Sequence, residues 1–126
     1  MVDIKSFGEG SDLQLIHGYG DGGFRVSGNR HSGCLFLLPR LTSAWTPPSD
    51  LDSLTAADLL PLLGDPVAPL LVLGAGAAPH HPFSELGAAL RGHGVAFELL
   101  STPAACRTWN VLMSEGRAAA AALVAI

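Results

Sequence analysis

The fold of this chain is decided by its second half, where the run Leu70-Leu71-Val72-Leu73 leads into the loop Gly74-Ala75-Gly76. A short apolar run that ends in glycines is typical of a buried strand that turns into a helix. The following residues predict that helix from about Pro82 to Arg91, and then a strand over residues 95–99. Strand, helix and strand in this order form a βαβ unit with two parallel strands.

The unit repeats at once towards the carboxyl end. Thr102 can cap a second helix with Pro103 at its first position, and Gly116 can end that helix. Residues 118–126 are rich in alanine, whose helix propensity opposes a strand. We still predict a strand there, because a helix would have to restart directly after Gly116 and the segment ends Leu-Val-Ala-Ile. Two such units predict a largely parallel sheet covered by helices.

The first third predicts antiparallel strands. Glycine-rich turns separate three short apolar or alternating segments, which are residues 13–17, 24–27 and 33–38. They form an N-terminal meander that is added to the parallel part. With 126 residues the chain has the size of a single α/β domain, residues 1–126.

Between the two halves we expect a loop and a short helix. The loop runs from Pro39 to Ser53 and contains Trp45, which marks a contact surface if it is exposed. Thr55-Ala56-Ala57-Asp58 resembles a capping box that begins the helix. Pro61 should shorten or kink this helix, because its ring clashes with the carbonyl group four residues earlier.

The amino-acid composition and net charge indicate which kinds of partner this protein can bind. Hydrophobic residues make up 48% of the chain and charged residues 14%, so we expect much of it to pack against itself, a partner or a second copy. A net charge of -4 gives no basic field for nucleic acid. No apolar run reaches the roughly 18 residues of a spanning helix, and the polar start lacks a signal-peptide core, so we predict no membrane insertion and a cytoplasmic location. Cys34 and Cys106 should stay thiols there.

The loop with Gly74 and Gly76 allows a nucleotide hypothesis. It follows a strand and precedes a helix, where backbone amides could hold a phosphate. Pro79 replaces the third glycine of the dinucleotide pattern, however, and a tight strand-to-helix turn explains both glycines equally well.

The segment from Thr102 to Thr108 offers a stronger chemical hypothesis. It places the thiol of Cys106 in the first turn of a helix, where the dipole favours thiolate, beside the guanidinium of Arg107. Cys106 is therefore the candidate nucleophile, and Thr102, Cys106, Arg107 and the two loop glycines are candidate ligand or anion contacts. The alternative is that Cys106 is a small buried hydrophobic residue and Arg107 a surface charge.

For the remaining polar residues we predict structural roles and no metal binding. His80 and His81 are adjacent and no ligand spacing is recognisable, so we predict no metal site and no cofactor. Arg25 lies within a predicted strand, and if its side chain faces inward it needs a partner such as Asp21 or Glu115, so we expect a structural salt bridge.

Several segments together resemble one known family over nearly the whole chain. They are Gly18 to Gly28, Leu73 to Gly76, Thr102 to Leu112, and Glu115-Gly116-Arg117. They look like the family that contains mitochondrial complex I assembly factor 3 and its bacterial and archaeal relatives of unknown function. Trp109 stands where the family pattern has tyrosine.

The resemblance implies a three-layer α/β fold with a mixed sheet, and it implies no enzyme. Its eukaryotic members are associated with respiratory complex assembly through protein contacts. We therefore expect a non-catalytic binding or assembly module with a protein partner, in which the start of the helix with Cys106 and Arg107, the 74–76 loop and Trp45 share one surface. The alternatives are a small-molecule enzyme or anion-binding protein that uses Cys106 and Arg107, and a nucleotide-binding module at Gly74 and Gly76.

Overall fold

The computed structural model describes residues 12–126, and its first three strands form a small antiparallel sheet. These strands are β1 (Ile16–Gly20), β2 (Gly23–Val26) and β3 (Asn29–Ser32), in the order β1-β2-β3. The predicted meander is therefore present. The strand predicted at residues 33–38 is present as Leu35–Leu38 but pairs in the second sheet, while β3 was missed because Asn29–Ser32 is polar and gives no apolar signal.

A second sheet of five strands forms the centre of the molecule. It contains β4 (Leu35–Leu38), β5 (Leu41–Ala44), β6 (Leu70–Gly74), β7 (Ala96–Leu100) and β8 (Ala120–Leu123). The order across the sheet is β5-β4-β8-β6-β7. β6 runs parallel to both β7 and β8, while β4 is antiparallel to β5 and β8. The sheet is mixed, and β5 lies where the sequence had predicted a loop.

Three helices and two 3-10 turns connect these strands. They are α1 (Ala56–Leu59), α2 (Ser84–Gly92) and α3 (Thr102–Ser114), with 3-10 turns at Leu51–Ser53 and Leu60–Leu62. The capping prediction for α1 is supported, since Asp58 Oδ2 accepts hydrogen bonds from the Thr55 N–H and hydroxyl, both at 3.0 Å. α1 is only one turn long and passes into the 3-10 turn that contains Pro61, as expected from a proline at this point.

The helices cover the two faces of the five-stranded sheet, which gives three layers. On one face, Leu86 and Leu90 of α2 and Leu59 of α1 pack in a core that also includes Trp45. On the other face, α3 packs beside the small sheet. The small sheet and α3 share one hydrophobic core. Its residues from β1, β2 and α3 are Ile16, Phe24, Val26, Cys106, Trp109, Leu112 and Met113.

The alanine-rich strand β8 lies at the centre of this sandwich. Ala119 and Ala121 belong to the core on the α3 side, and Ala120 and Ala122 belong to the core on the α2 side. This alternation has the period of two that a strand requires. The predicted strand is confirmed, because burial on both faces overrides the helix propensity of alanine.

Candidate functional site

The loop after β6 and the start of α3 meet at the carboxyl end of the central strands. The N–H group of Thr102 donates to the carbonyl oxygen of Gly76 at 2.8 Å, and the N–H of Gly76 donates to the Thr102 hydroxyl at 2.9 Å. The same hydroxyl donates to the carbonyl oxygen of Val124 at 2.7 Å. Thr102 thus ties together β6, α3 and the chain that follows β8.

These contacts leave little room for a ligand. Thr102 is fully buried, and its hydroxyl is occupied as donor and as acceptor. A Cβ atom built on Gly74 would lie 2.9 Å from the Cβ of Ala105 and 3.1 Å from the Cα of Thr102. None of the three surface cavities described below is lined by Gly74, Gly76 or Thr102. Glycine at position 74 therefore allows β6 and α3 to pack closely, because a side chain there would clash with α3.

Cys106 lies deeper than the sequence suggested. The N-cap of α3 is Ser101, whose Oγ accepts a hydrogen bond from the Ala104 N–H at 3.3 Å, and not Thr102 as predicted. Cys106 is consequently the fifth residue of the helix, beyond its first turn. Its side chain belongs to the core on the α3 side, whereas Arg107 is exposed.

The electrostatic environment of Cys106 opposes the predicted thiolate. Desolvation by burial raises the pKa of the thiol from 9.0 to about 11, and the charge of Arg107 offsets only part of this effect. A reactive cysteine needs a depressed pKa and access to solvent. The structure thus favours the alternative interpretation, in which Cys106 is a small core residue.

The most specific segment of the family resemblance has a structural role that the sequence did not reveal. The indole N–H of Trp109 donates to the carbonyl oxygen of Gln14 at 2.6 Å. The carboxamide of Asn110 binds both backbone groups of Ile16, at 2.8 Å and 2.7 Å. Adjacent residues of α3 therefore hold the chain at and just before β1, and so attach the small sheet to the rest of the domain.

A groove lies between the edge of the five-stranded sheet and α1, on the face opposite to Cys106. Its volume is about 730 Å³. Phe36, Leu38, Leu41 and Ser43 line it from β4 and β5, together with Trp45, and the opposite wall includes Asp58, Pro61, Leu62 and Gly64. Sequence reasoning missed this groove, since its walls come from segments that are distant along the chain.

The predicted common surface of Trp45 and Cys106 is wrong. Trp45 belongs to the core on the α2 side and Cys106 to the core on the α3 side, so the central sheet separates them. Trp45 is also buried, with 8% of its surface exposed. It nevertheless lines the groove, where Leu41 and Leu62 are exposed by 55% and 37%.

The two adjacent histidines act separately. His80 Nε2 lies 3.8 Å from a carboxylate oxygen of Asp52, while His81 Nδ1 accepts a hydrogen bond from the Phe83 N–H at 3.0 Å. His81 also lines a second cavity of about 360 Å³ with Asp52 and Glu85. Within residues 12–126, no three His, Cys, Asp or Glu side chains gather into a group that could hold a metal ion.

Arg25 does not form the predicted salt bridge in the described part of the chain. It is exposed on β2, and an ion pair in the described residues is formed by Arg117 and Glu115. Arg30 makes the contacts in this region instead, since its guanidinium donates to the carbonyl oxygens of Gly20 and Asp21 at 3.1 Å and 2.8 Å. A third cavity, of about 280 Å³, lies between Leu13, Arg40 and the end of α3.

Comparison with known proteins places these features in a family. The model of the family described as a protein of unknown function (DUF498/DUF598) matches residues 16–124. The chain belongs to this family. Its matched range includes β1, the Trp109 and Asn110 contacts, and both sheets.

Two curated relatives and one solved structure are similar over most of the chain. NADH dehydrogenase [ubiquinone] 1 alpha subcomplex assembly factor 3 of Danio rerio is 38% identical over 117 residues, which are 92% of this chain and 67% of that protein. An uncharacterised protein of Rhodobacter capsulatus is 40% identical over 109 residues, covering 86% of this chain and 82% of its own length. A crystal structure from Bordetella parapertussis superimposes with a TM-score of 0.78 at 31% identity, covering 92% and 98% of the two chains.

The family membership confirms the resemblance that the sequence motifs had indicated, and the Bordetella structure confirms the mixed α/β fold. None of the helices in residues 12–126 is long and apolar enough to cross a membrane.

Proposed function

We propose that this member of the family is a non-catalytic binding or assembly module that acts through a protein partner. One observation carries the proposal, namely the groove of about 730 Å³ beside the edge strand β5, with exposed Leu41 and Leu62 in its lining. Apolar side chains that remain exposed in a concave surface are typical of a binding site.

The environments of Thr102 and Cys106, the candidate residues for chemistry, also support a non-catalytic role. Thr102 has its hydroxyl satisfied inside the protein, and Cys106 is buried with a raised pKa. The name of the Danio rerio relative refers to assembly of NADH dehydrogenase, and an assembly role of this kind is our proposal for this chain.

The proposed compartment is the cytoplasm. Cys34 and Cys106 are both free thiols, which is the state expected in a reducing environment.

Site-specific photo-crosslinking tests the proposal. A benzophenone amino acid replaces Leu62 in the groove wall, and in a matched control it replaces Val111 on α3 at the opposite face. Val111 is the more exposed of the two, at 54% against 37%, so greater labelling from position 62 cannot result from exposure alone. Adducts formed in the host cell are identified by mass spectrometry, and each partner is then purified and tested for direct binding.

We expect position 62 to give a defined protein adduct that position 111 does not give, and the purified partner to bind the wild-type domain. The proposal is overturned if both positions give the same adducts or none. It is equally overturned if the purified domain turns over a metabolite and Cys106→Ala or Arg107→Ala abolishes that turnover.

A further inference from the structure

The outer side of β5 is the edge of the five-stranded sheet that borders the groove. β5 and β7 are the two end strands of the five-stranded sheet, and within residues 12–126 no strand pairs with the outer side of β5. The N–H of Trp45 donates to the carbonyl oxygen of Cys34 at 3.0 Å. Together with the pairing of β4 and β5, this bond shows which residues of β5 are hydrogen-bonded to β4. Hydrogen-bonded and non-hydrogen-bonded pairs alternate along antiparallel strands, so Ser43 bonds towards β4, whereas Thr42 and Ala44 turn their backbone groups outward.

The groove runs along the same edge. The side chains of Leu41, Ser43 and Trp45 alternate along the chain with those of Thr42 and Ala44. These three residues and Ala44 line the groove from the β5 side, whereas Thr42 does not. A strand added to β5 would direct every second side chain to this face of the sheet. Those side chains would lie between β5 and the wall that contains Leu62.

The lining of the groove is negatively charged, since Asp58 is the one charged side chain among its lining residues. Residues 41–90 contain no lysine or arginine. They carry five exposed carboxylates, which are Asp50, Asp52, Asp58, Asp65 and Glu85. Asp58 lines the groove itself, and both of its bonds to Thr55 use Oδ2, so that Oδ1 takes part in neither. This field favours a partner with positive charge and disfavours an acidic one.

A second edge of the molecule lacks these properties. β3 ends the small sheet and carries the polar side chains of Asn29–Ser32, including Arg30. Polar and charged side chains on an edge strand discourage pairing with another chain. β5 combines an edge that no strand of residues 12–126 occupies with an apolar groove that contains the carboxylate of Asp58.

The geometry points to an extended partner segment that adds to the outer side of β5 and carries apolar and Lys or Arg side chains on the face turned to the groove. The apolar side chains pack against Leu41 and Leu62, and the cations lie near Asp58. Main-chain pairing with Thr42 and Ala44 gives affinity, and the groove gives selectivity. This inference rests on the proposed binding function and adds the chemistry of the partner.

Binding of designed peptides tests the inference. The probe is fluorescein-labelled Lys-Thr-Val-Thr-Ile-Thr-Lys-Thr, which presents Lys, Val, Ile and Lys on one face of an extended chain, and the control replaces both lysines by glutamate. We expect the lysine peptide to bind with a Kd about tenfold lower than that of the glutamate peptide, and the difference to shrink as salt is added. Fluorescence anisotropy measures both.

Three variants locate the site. Ala44→Pro removes an outward N–H without removing a bond to β4, and we expect it to weaken binding about fivefold or more. Asp58→Asn keeps an acceptor for Thr55 but removes the charge, and it should weaken only the lysine peptide. Asp65→Asn removes an exposed charge outside the groove lining and should change binding far less. If Ala44→Pro fails to fold, the amide NMR shifts of Thr42 and Ala44 on peptide addition take its place.

The outcomes separate this inference from the proposed function. Equal binding of the two peptides, or no effect at Thr42 and Ala44, overturns the inference. If no peptide binds while the crosslinker at position 62 still captures a specific partner, the inference fails and the binding function stands. A dimer of the chain that Ala44→Pro dissociates in sedimentation would show that a second copy is the occupant, which also overturns it.

Discussion

Asn110 of α3 makes two hydrogen bonds to the backbone of Ile16 in β1. Its Oδ1 accepts from the Ile16 N–H at 2.8 Å, and its Nδ2 donates to the Ile16 carbonyl oxygen at 2.7 Å. β1 is an edge strand of the small sheet, so the side chain supplies the partners that a neighbouring strand would otherwise supply. The two sheets are thereby joined through one carboxamide and the adjacent Trp109.

Asn110→Leu should destabilise the domain by about 2–4 kcal/mol, because it leaves the N–H and C=O groups of Ile16 without their partner in a half-buried position. Urea unfolding followed by circular dichroism measures the free energy of unfolding. The matched control is Asn29→Leu on the exposed strand β3, which should change stability by no more than about 0.5 kcal/mol. Similar losses in the two variants would contradict the role assigned to Asn110.

Gly74→Ala should destabilise the domain by about 1–3 kcal/mol through overpacking. The new methyl group would meet the Cβ of Ala105 at 2.9 Å and the Cδ2 of Leu123 at 3.0 Å. Gly92→Ala is the control, since a Cβ at the end of α2 meets nothing within 4 Å, and the substitution should be neutral or stabilising. A wild-type melting temperature for Gly74→Ala would mean that strand and helix can move apart without cost.

Thr102→Val keeps the shape of the side chain but removes the hydroxyl that joins the Gly76 N–H to the Val124 carbonyl oxygen. We expect a loss of about 2–3 kcal/mol in the free energy of unfolding, because two half-buried backbone groups lose their partner. Hydrogen exchange should also show faster exchange of the Gly76 amide. Thr46→Val, at an exposed position, should leave both measurements almost unchanged.

The thiol of Cys106 should be unreactive in the folded protein and should make stability depend on pH in the alkaline range. Its pKa is raised from 9.0 to about 11 in the folded state, so the unfolded chain loses this proton first. The contribution to stability is complete below pH 9 and is lost as the pH rises towards 11.

Alkylation by iodoacetamide against pH, with Cys34→Ser as background, measures the reactivity of Cys106. Unfolding in urea at several alkaline pH values measures the stability, and Cys106→Ala should remove this part of the pH dependence. Rapid alkylation of the folded protein near pH 7, lost in Arg107→Ala, would restore the hypothesis of a chemical site at this helix.

Much of the fold could be predicted because its central elements carry strong periodic signals. The apolar run at residues 70–73, the glycine stops and the strand at the carboxyl end all lie close to where they were expected. β3 and β5 were missed, since Asn29–Ser32 is polar and Leu41–Ala44 lacks a run of apolar residues. Strands of this kind depend on their neighbours for pairing more than on their own residues.

The candidate site was less predictable for the same reason. The meeting of Gly76 and Thr102 follows from βαβ order, but only packing decides whether the space between them is open or filled. It is filled. Cys106 likewise has a sequence context that favours thiolate, yet its pKa is governed mainly by burial.

The sequence by itself determined the family, through the resemblance of its motifs. It also determined the α/β class and the order of most elements, because these depend on local periodicity and on turn residues. Tertiary structure decided which residues became buried, which strands lie at the edges of the two sheets, and that Trp45 and Cys106 lie on opposite faces of the central sheet. The groove between β5 and α1 exists only where residues far apart in the chain are brought together. Burial and concavity arise from contacts between distant segments, and no local pattern specifies them.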